Sequence, residues 1–313
     1  MKRFIIIAFL FVSTFVYSQN KQSDYLPIEG SFAYKMDHSI IYASIEDGEY
    51  PLHTIYNLDI TTNKVIIIDS LIEHGCFTKI SDTILAYIKN DSLFLYNITT
   101  HKPLFSKIRS NVIGLSKNPK HNCMLLFEVD YCHNIVTIKL FDKSNSVIFF
   151  QEITYPPLEE EGIRPEKIET FSDYFVFDIL DQLYLLDLSD SKPELKLITD
   201  RCYYFAINSE GILYYKDIGK LLIKGYFMDF KSKNNRSLKL SDRKRNCYHR
   251  KLLSTNVNGA IIPVYLICDD AFAYLEDKWL HLTEGVIVFK DEEVEIKLSN
   301  LNNDTFLWKK IKL

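Results

Sequence analysis

Between Ser81 and Ile108 the chain reads SDTILAYIKNDSLFLYNITTHKPLFSKI, three apolar bursts set between polar breaks. The Asn90-Asp91 pair suits a two-residue hairpin reversal, and the polar ITTHK suits a second turn, because Asn, Thr and Lys bond their own backbone or stay solvated there. The pattern predicts four strands over about Cys76 to Ile80, Ile84 to Lys89, Ser92 to Asn97 and Pro103 to Ile108. Similar bursts recur as MLLFEV, YFVFDI and LYLLDL. None alternates cleanly with polar residues. A sheet with one wet face alternates, whereas a sheet covered on both faces reads as an unbroken apolar run.

The bursts are periodic. Each of five turns follows an Asp or Asn at a strand end, at Asp59, Asn97, Asp142, Asp187 and Asp229, so neighbouring markers stand 38, 45, 45 and 42 residues apart. Six units can be traced over residues 31–69, 75–108, 112–153, 167–199, 202–241 and 252–284. The tail GVIVFKDEEVEIKLSNLNNDTFLWKKIKL holds three more strands, and SDYLPIEG near the N-terminus can supply a fourth, closing a ring with both chain ends and hiding an edge. Four-stranded sheets buried on both faces and repeating at about 42 residues describe an all-β propeller. Seven blades in a single domain over 19–313 is the expectation; six blades, and then two β-sandwich domains, are the alternatives. Helical pattern is confined to one possible turn in PPLEEEGIRPEKIE.

Over nearly its whole length after residue 18 the chain resembles the secreted bacterial β-propeller repeat proteins. The likeness lies in the repeat and its strand quartets. The Trp-Asp ending of one large propeller class is missing, and the two Trp, Trp279 and Trp308, do not form repeated signature blocks. The resemblance implies binding on the face where links between blades converge on a central channel. It names no ligand, since this fold hosts many functions.

Those links are LIEHG, KIRSN, TYPPLEEEGIRPEK, TDRCYY and SDRKRNCYHRK. They bring Arg109, Arg164, Arg201, Arg243, Lys244, Arg245, His249 and Arg250 toward one surface, with Tyr131, Tyr203 and Tyr248 as aromatic neighbours. Guanidinium groups bind carboxylate, sulfate or phosphate through paired hydrogen bonds, and tyrosine rings stack on a sugar or a side chain. The candidate ligand-binding set is Arg109, Arg164, Arg201, Tyr203, Arg245, His249 and Arg250. The competing interpretation is a solvated charged loop.

The first residues, MKRFIIIAFLFVSTFVYSQ, carry a basic start, a short apolar stretch and a small-residue exit, the grammar of a secretory signal cleaved after Ser18. An uncleaved membrane anchor is the alternative. Cleavage removes Lys2 and Arg3 and leaves 35 basic against 41 acidic residues, a net charge of −6. That balance disfavours nucleic acid as a partner. The expected protein is secreted or periplasmic, off the membrane after cleavage, and monomeric.

An exported chain can keep disulfides. Six cysteines, Cys76, Cys123, Cys132, Cys202, Cys247 and Cys268, allow fifteen full pairings. Cys123 begins a strand and Cys132 sits in the turn that ends it, so they stand at least about 20 Å apart at ~3.3 Å per residue, too far to bond. Cys202 and Cys247 fall in neighbouring links and are the favoured pair, though a buried free Cys also behaves as a small hydrophobe.

No HExxH, GxSxG, GxxxxGK[ST] or GxGxxG occurs, and with ten glycines phosphate-cradling loops are not expected. Neither a metal nor a cofactor is expected, and no catalytic set can be read. The expected function is noncatalytic binding or scaffolding, with a protein or an anionic glycan as partner. The alternative is a glycan-acting hydrolase or lyase with its site at the channel mouth.

Overall fold

The computed structural model describes residues 25–46, 52–73, 77–90, 92–105, 111–156, 165, 167–218, 223–238, 250–257, 260–267, 270–276, 278–282, 286–298 and 305–311. The described residues hold strands and no helix, so none is long and apolar enough to cross a membrane. The signal-like segment lies outside them, as does most of PPLEEEGIRPEKIE.

β1 (Leu26–Glu29) stands ahead of the repeat, and the first quartet is β2 (Ser31–Met36), β3 (Ser39–Glu46), β4 (Leu52–Asp59) and β5 (Val65–Glu73). The second is β6 (Phe77–Lys79), β7 (Ile84–Lys89), β8 (Ser92–Asn97) and β9 (Lys102–Phe105). The third is β10 (Val112–Asn118), β11 (Cys123–Asp130), β12 (Ile135–Phe141) and β13 (Val147–Thr154). The fourth is β14 (Ile168–Phe171), β15 (Tyr174–Ile179), β16 (Gln182–Asp187) and β17 (Glu194–Thr199). The fifth is β18 (Cys202–Ile207), β19 (Gly211–Asp217), β20 (Ile223–Asp229) and β21 (Asn235–Ser237). The sixth is β22 (Arg250–Val257), β23 (Ala260–Ile267), β24 (Asp270–Leu275) and β25 (Lys278–Leu282). The tail adds β26 (Ile287–Lys290), β27 (Val294–Leu298) and β28 (Thr305–Lys310).

Five quartets are separate antiparallel sheets; the sixth and the tail share an eight-stranded sheet ordered β1-β28-β27-β26-β22-β23-β24-β25. Among the described residues the two halves of that sheet meet where β22 runs parallel to β26, at Asn256↔Phe289 and Val257↔Lys290. Counted as two quartets it gives seven units, and counted as one sheet it gives six. The tail half is completed by β1, which pairs antiparallel with β28 from Leu26↔Trp308 to Glu29↔Thr305. Strands from both chain ends therefore share one sheet.

Seven apolar clusters fill the seams between consecutive quartets. Ile41, Ile55 and Leu85 join the first to the second, Ala86, Ile88 and Leu126 the second to the third, and Leu125, Phe127 and Phe177 the third to the fourth. Val176, Leu185 and Tyr214 join the fourth to the fifth, Leu213, Tyr215 and Tyr265 the fifth to the sixth, and Val264, Leu266 and Val286 the sixth to the tail. Ile40, Leu58, Ile296 and Phe306 close the tail onto the first. Side chains alternate across a strand, so parity decides the seam: in β7, Leu85 and Tyr87 face one neighbour while Ala86 and Ile88 face the other. This is why the strands are apolar at nearly every position. Ring pairs cross the seams, as in Phe127 with Phe177 at 4.8 Å, edge to face, and Tyr215 with Tyr265 at 4.8 Å, stacked.

The periodic Asp and Asn residues are turn caps. Asp59 accepts the N–H groups of Thr61 and Thr62 at 2.7 and 2.9 Å. Asn97 does the same for Thr99 and Thr100, Asp142 for Ser144 and Ser146, Asp187 for Ser189, and Asp229 for Lys231 and Ser232. The chain then passes through a left-handed residue at Asn63, His101, Asn145 and Lys233 before the fourth strand.

Candidate functional site

First strands line the axis of the ring. β10 lies beside β6 and β14, β18 beside β14 and β22, and β22 beside β26. Apart from the short β22–β26 pairing, side chains bond backbone groups along these described first strands. Lys117 Nζ donates to Ile80 O at 2.5 Å, Lys167 Nζ to Phe205 O at 2.6 Å, and Lys79 Nζ to Lys35 O at 3.5 Å. Across β18, the Ile207 N–H donates to Glu169 Oε2 at 3.1 Å and to Ser254 Oγ at 3.0 Å, while Ser254 Oγ donates to Glu169 Oε2 at 2.7 Å. Lys167 completes this group by pairing with Glu169 at 2.5 Å.

β2 approaches β6 and β26 less closely than the other first strands approach one another. A cavity of about 560 Å³ lies along it, lined by residues 31–35 of β2, by Lys79, by Leu253, Ser254 and Asn256 of β22, and by Val288, Phe289 and Leu298. Phe32 and Phe289 meet at 5.6 Å between ring centroids. Lys35, only 9% exposed, pairs with Glu293 at 2.7 Å, and Lys79 pairs with Asp82 at 2.6 Å. The Lys79 ammonium holds the Asp82 carboxyl below the usual carboxylate range.

Of the link-face residues, Arg201 and Tyr203 are described. Arg201 takes a left-handed conformation, φ 54°, in the short turn between β17 and β18, and its carbonyl accepts the Asp217 N–H at 3.1 Å. Asp200 beside it pairs with Lys216. Tyr203 is exposed on β18 with its ring edge-on to Tyr204 at 5.5 Å. Tyr131 is also exposed, in the turn after β11, where His133 Nδ1 lies 2.7 Å from Asp130 Oδ2. Arg250 opens β22, but its side chain lies outside the described residues, as do Arg109, Arg164, Arg245 and His249 altogether. Of that set, only Arg201 and Tyr203 have described side chains, two positions apart in sequence where β17 passes into β18. Cys202 is buried at the start of β18, and Cys247 lies outside the described residues. Cys123 and Cys132 are free thiols at opposite ends of β11. Among the described residues no group of three His, Cys, Asp or Glu could hold a metal ion.

The channel lysines stand outside the link residues that the sequence pattern points to, although a signal is there. AYKM, FTKI and LSKN each place a Lys near the end of a first strand, at Lys35, Lys79 and Lys117, in step with the repeat.

Solved structures similar to this chain share the ring. The β-propeller domain of the Trilobed protease from Pyrococcus furiosus matches with a TM-score of 0.53 at 15% identity, over 90% of this chain and 94% of that one. The WD40 domain of Neurospora crassa Pan2 matches with a TM-score of 0.54 at 9% identity, over 95% of this chain and 94% of that one. The fold is a β-propeller. Acylaminoacyl peptidase from Pyrococcus horikoshii also matches, with a TM-score of 0.53 at 12% identity over 91% of this chain. This propeller spans about half of that enzyme, 52% of its length. The Trilobed protease domain has an open velcro topology, whereas here β1 pairs with β28. No family model and no curated protein matches the chain.

Proposed function

We propose that the protein is an exported, noncatalytic binding or scaffold propeller that presents its blade-link face to a protein or an anionic glycan. The observation that carries the reading is the character of the channel. Among the described residues its wall combines Phe32, Tyr34, Leu253, Val288, Phe289 and Leu298 with Lys35, Lys79, Ser254 and Asn256, and the Glu169 carboxylate nearby is occupied by Ser254, Lys167 and the Ile207 N–H. A rigid ring with a varied rim suits recognition, and the exposed Arg201 and Tyr203 supply an anion donor and a stacking surface on that rim.

The test is a panel of sulfated and carboxylated glycans. Replacing Arg201, Arg245 and Arg250 together by Ala is expected to abolish binding that salt also weakens. Unchanged binding would remove the link face from the account.

A second reading is a propeller that accompanies a peptidase, and the neighbours favour it: two are a protease propeller domain and a peptidase of which this chain spans about half. Co-purification with a peptidase whose cleavage of test peptides changes when the propeller is added would favour that reading over glycan binding. For a glycan-acting hydrolase or lyase, Glu169 is a candidate acid among the described residues, and loss of glycan cleavage in Glu169→Gln would be its mark.

A further inference from the structure

The cavity along β2 has walls of one electrical sign. Phe32, Leu253, Val288, Phe289 and Leu298 give it an apolar body, while Lys35 and Lys79 give it two ammonium groups, and no carboxylate stands among its lining residues. The acids that pair with these lysines lie in the first turns, outside the lining: Glu293 next to Lys35 and Asp82 next to Lys79. The two pairs differ. Lys35 is nearly buried and Glu293 is 38% exposed, held also by His38 at 3.1 Å. Asp82 is 78% exposed, so water screens its attraction for Lys79 and an incoming anion competes for that ammonium at little cost. One positive charge is therefore available to a ligand.

A volume of 560 Å³ falls in the range of sites for small molecules, which combine apolar walls with a few placed polar groups. Ser254 and Asn256 are the uncharged polar side chains on the β22 wall. We infer that the cavity binds a small organic monocarboxylate with an aromatic or branched aliphatic body, its carboxylate on Lys79 and its body against Phe32, Val288 and Phe289. A dianion such as a phosphate monoester matches the single available charge less well. The site is separate from the blade-link face, because Lys35 and Lys79 stand where β2 and β6 run into their first turns, at the other end of the disc.

The test titrates the full-length protein calorimetrically with 4-phenylbutyrate and with its neutral counterpart 4-phenylbutanamide at low salt. The carboxylate should saturate one site and bind about tenfold more tightly than the amide, the order expected of a charge-assisted contact. Lys79→Met should remove that preference, Lys79→Arg should keep it, and Asp82→Asn should strengthen carboxylate binding severalfold by removing the competitor. Circular dichroism checks that each variant is folded; should Lys79→Met not fold, Asp82→Asn decides. Absence of saturable uptake, equal binding of amide and carboxylate, or an unchanged affinity in Asp82→Asn would each overturn the assignment.

Discussion

Asp187 and Asp142 occupy the same place in the repeat but not the same surroundings. Asp142 lies in an exposed turn and serves Ser144 and Ser146. Asp187 is buried, and besides Ser189 it receives Lys233 from the next quartet, whose ammonium also sits over the Tyr174 ring at 5.1 Å. Burial pushes the Asp187 carboxyl up, but Lys233 and Ser189 outweigh it and hold it below the usual range. Asp187→Ala is expected to cost about 2 kcal/mol in urea unfolding, because it strips a buried, bonded charge, and Asp142→Ala is expected to cost less. Asn57 presents the opposite case. It is 1% exposed on β4, and neither its amide nitrogen nor its oxygen finds a partner among the described residues. Replacing it with Leu should raise stability by about 1 kcal/mol, since an unsatisfied buried amide is worse than an apolar side chain of similar size; a fall in the unfolding midpoint would contradict this.

Among the strands, those between two seams were the legible ones. β7 and β8 fall where the runs ILAYIK and SLFLYN place them, because both faces of a middle strand need apolar residues. Outer strands have one free edge and weaker cover, so their pattern is looser. Of the strand expected over 103–108, residues 106–108 lie outside the described residues and the described part is β9 at Lys102–Phe105, while β21 is the three residues Asn235–Ser237. First strands were located, but which of their residues turn to the axis was not legible, because a short strand does not reveal from its own sequence how far its neighbours stand off. The Arg cluster rests on link composition alone, and most of it falls outside the described residues. β13 shows the hazard of an outer strand. Val147, Ile148 and Phe150, the last 53% exposed, lie along a strand that, among the described residues, pairs with β12 alone, and such an edge templates pairing with other chains. Ile148→Lys with Phe150→Lys should reduce aggregation on concentration, followed by light scattering, and leave stability within ~0.5 kcal/mol per surface site.

At the scale of the whole molecule the decisive feature is the closure. Gly30 carries the chain from β1 into β2 at φ 129°, and a Cβ there would stand 2.8 Å from Ala43 O, so only glycine fits the crossing. In the same sheet Glu295, buried on β27, gathers the Tyr25 hydroxyl with Lys290 at 2.9 Å and Lys309 at 3.4 Å, and Lys309 also lies over the Tyr25 ring at 4.5 Å. Burial raises the Glu295 carboxyl, yet the Tyr25 hydroxyl and the lysines prevail and bring it down to about 2 from 4.5. A carboxyl held low favours the folded state above its unfolded value, and that contribution is lost as the pH falls from about 4.5 toward 2. Glu295→Gln should therefore flatten the acid side of the stability profile between those values, and a profile as steep as that of the parent would contradict the role given to this cluster. The ring itself is tested most directly by Glu29→Cys with Thr305→Cys, facing positions on β1 and β28 whose Cα atoms should lie about 4.5–5.5 Å apart, within disulfide reach. Mass mapping after mild oxidation is expected to find the 29–305 linked peptide within one chain, with a raised unfolding temperature. Failure to form that link, or its formation only between chains, would contradict a propeller closed by its N-terminal strand.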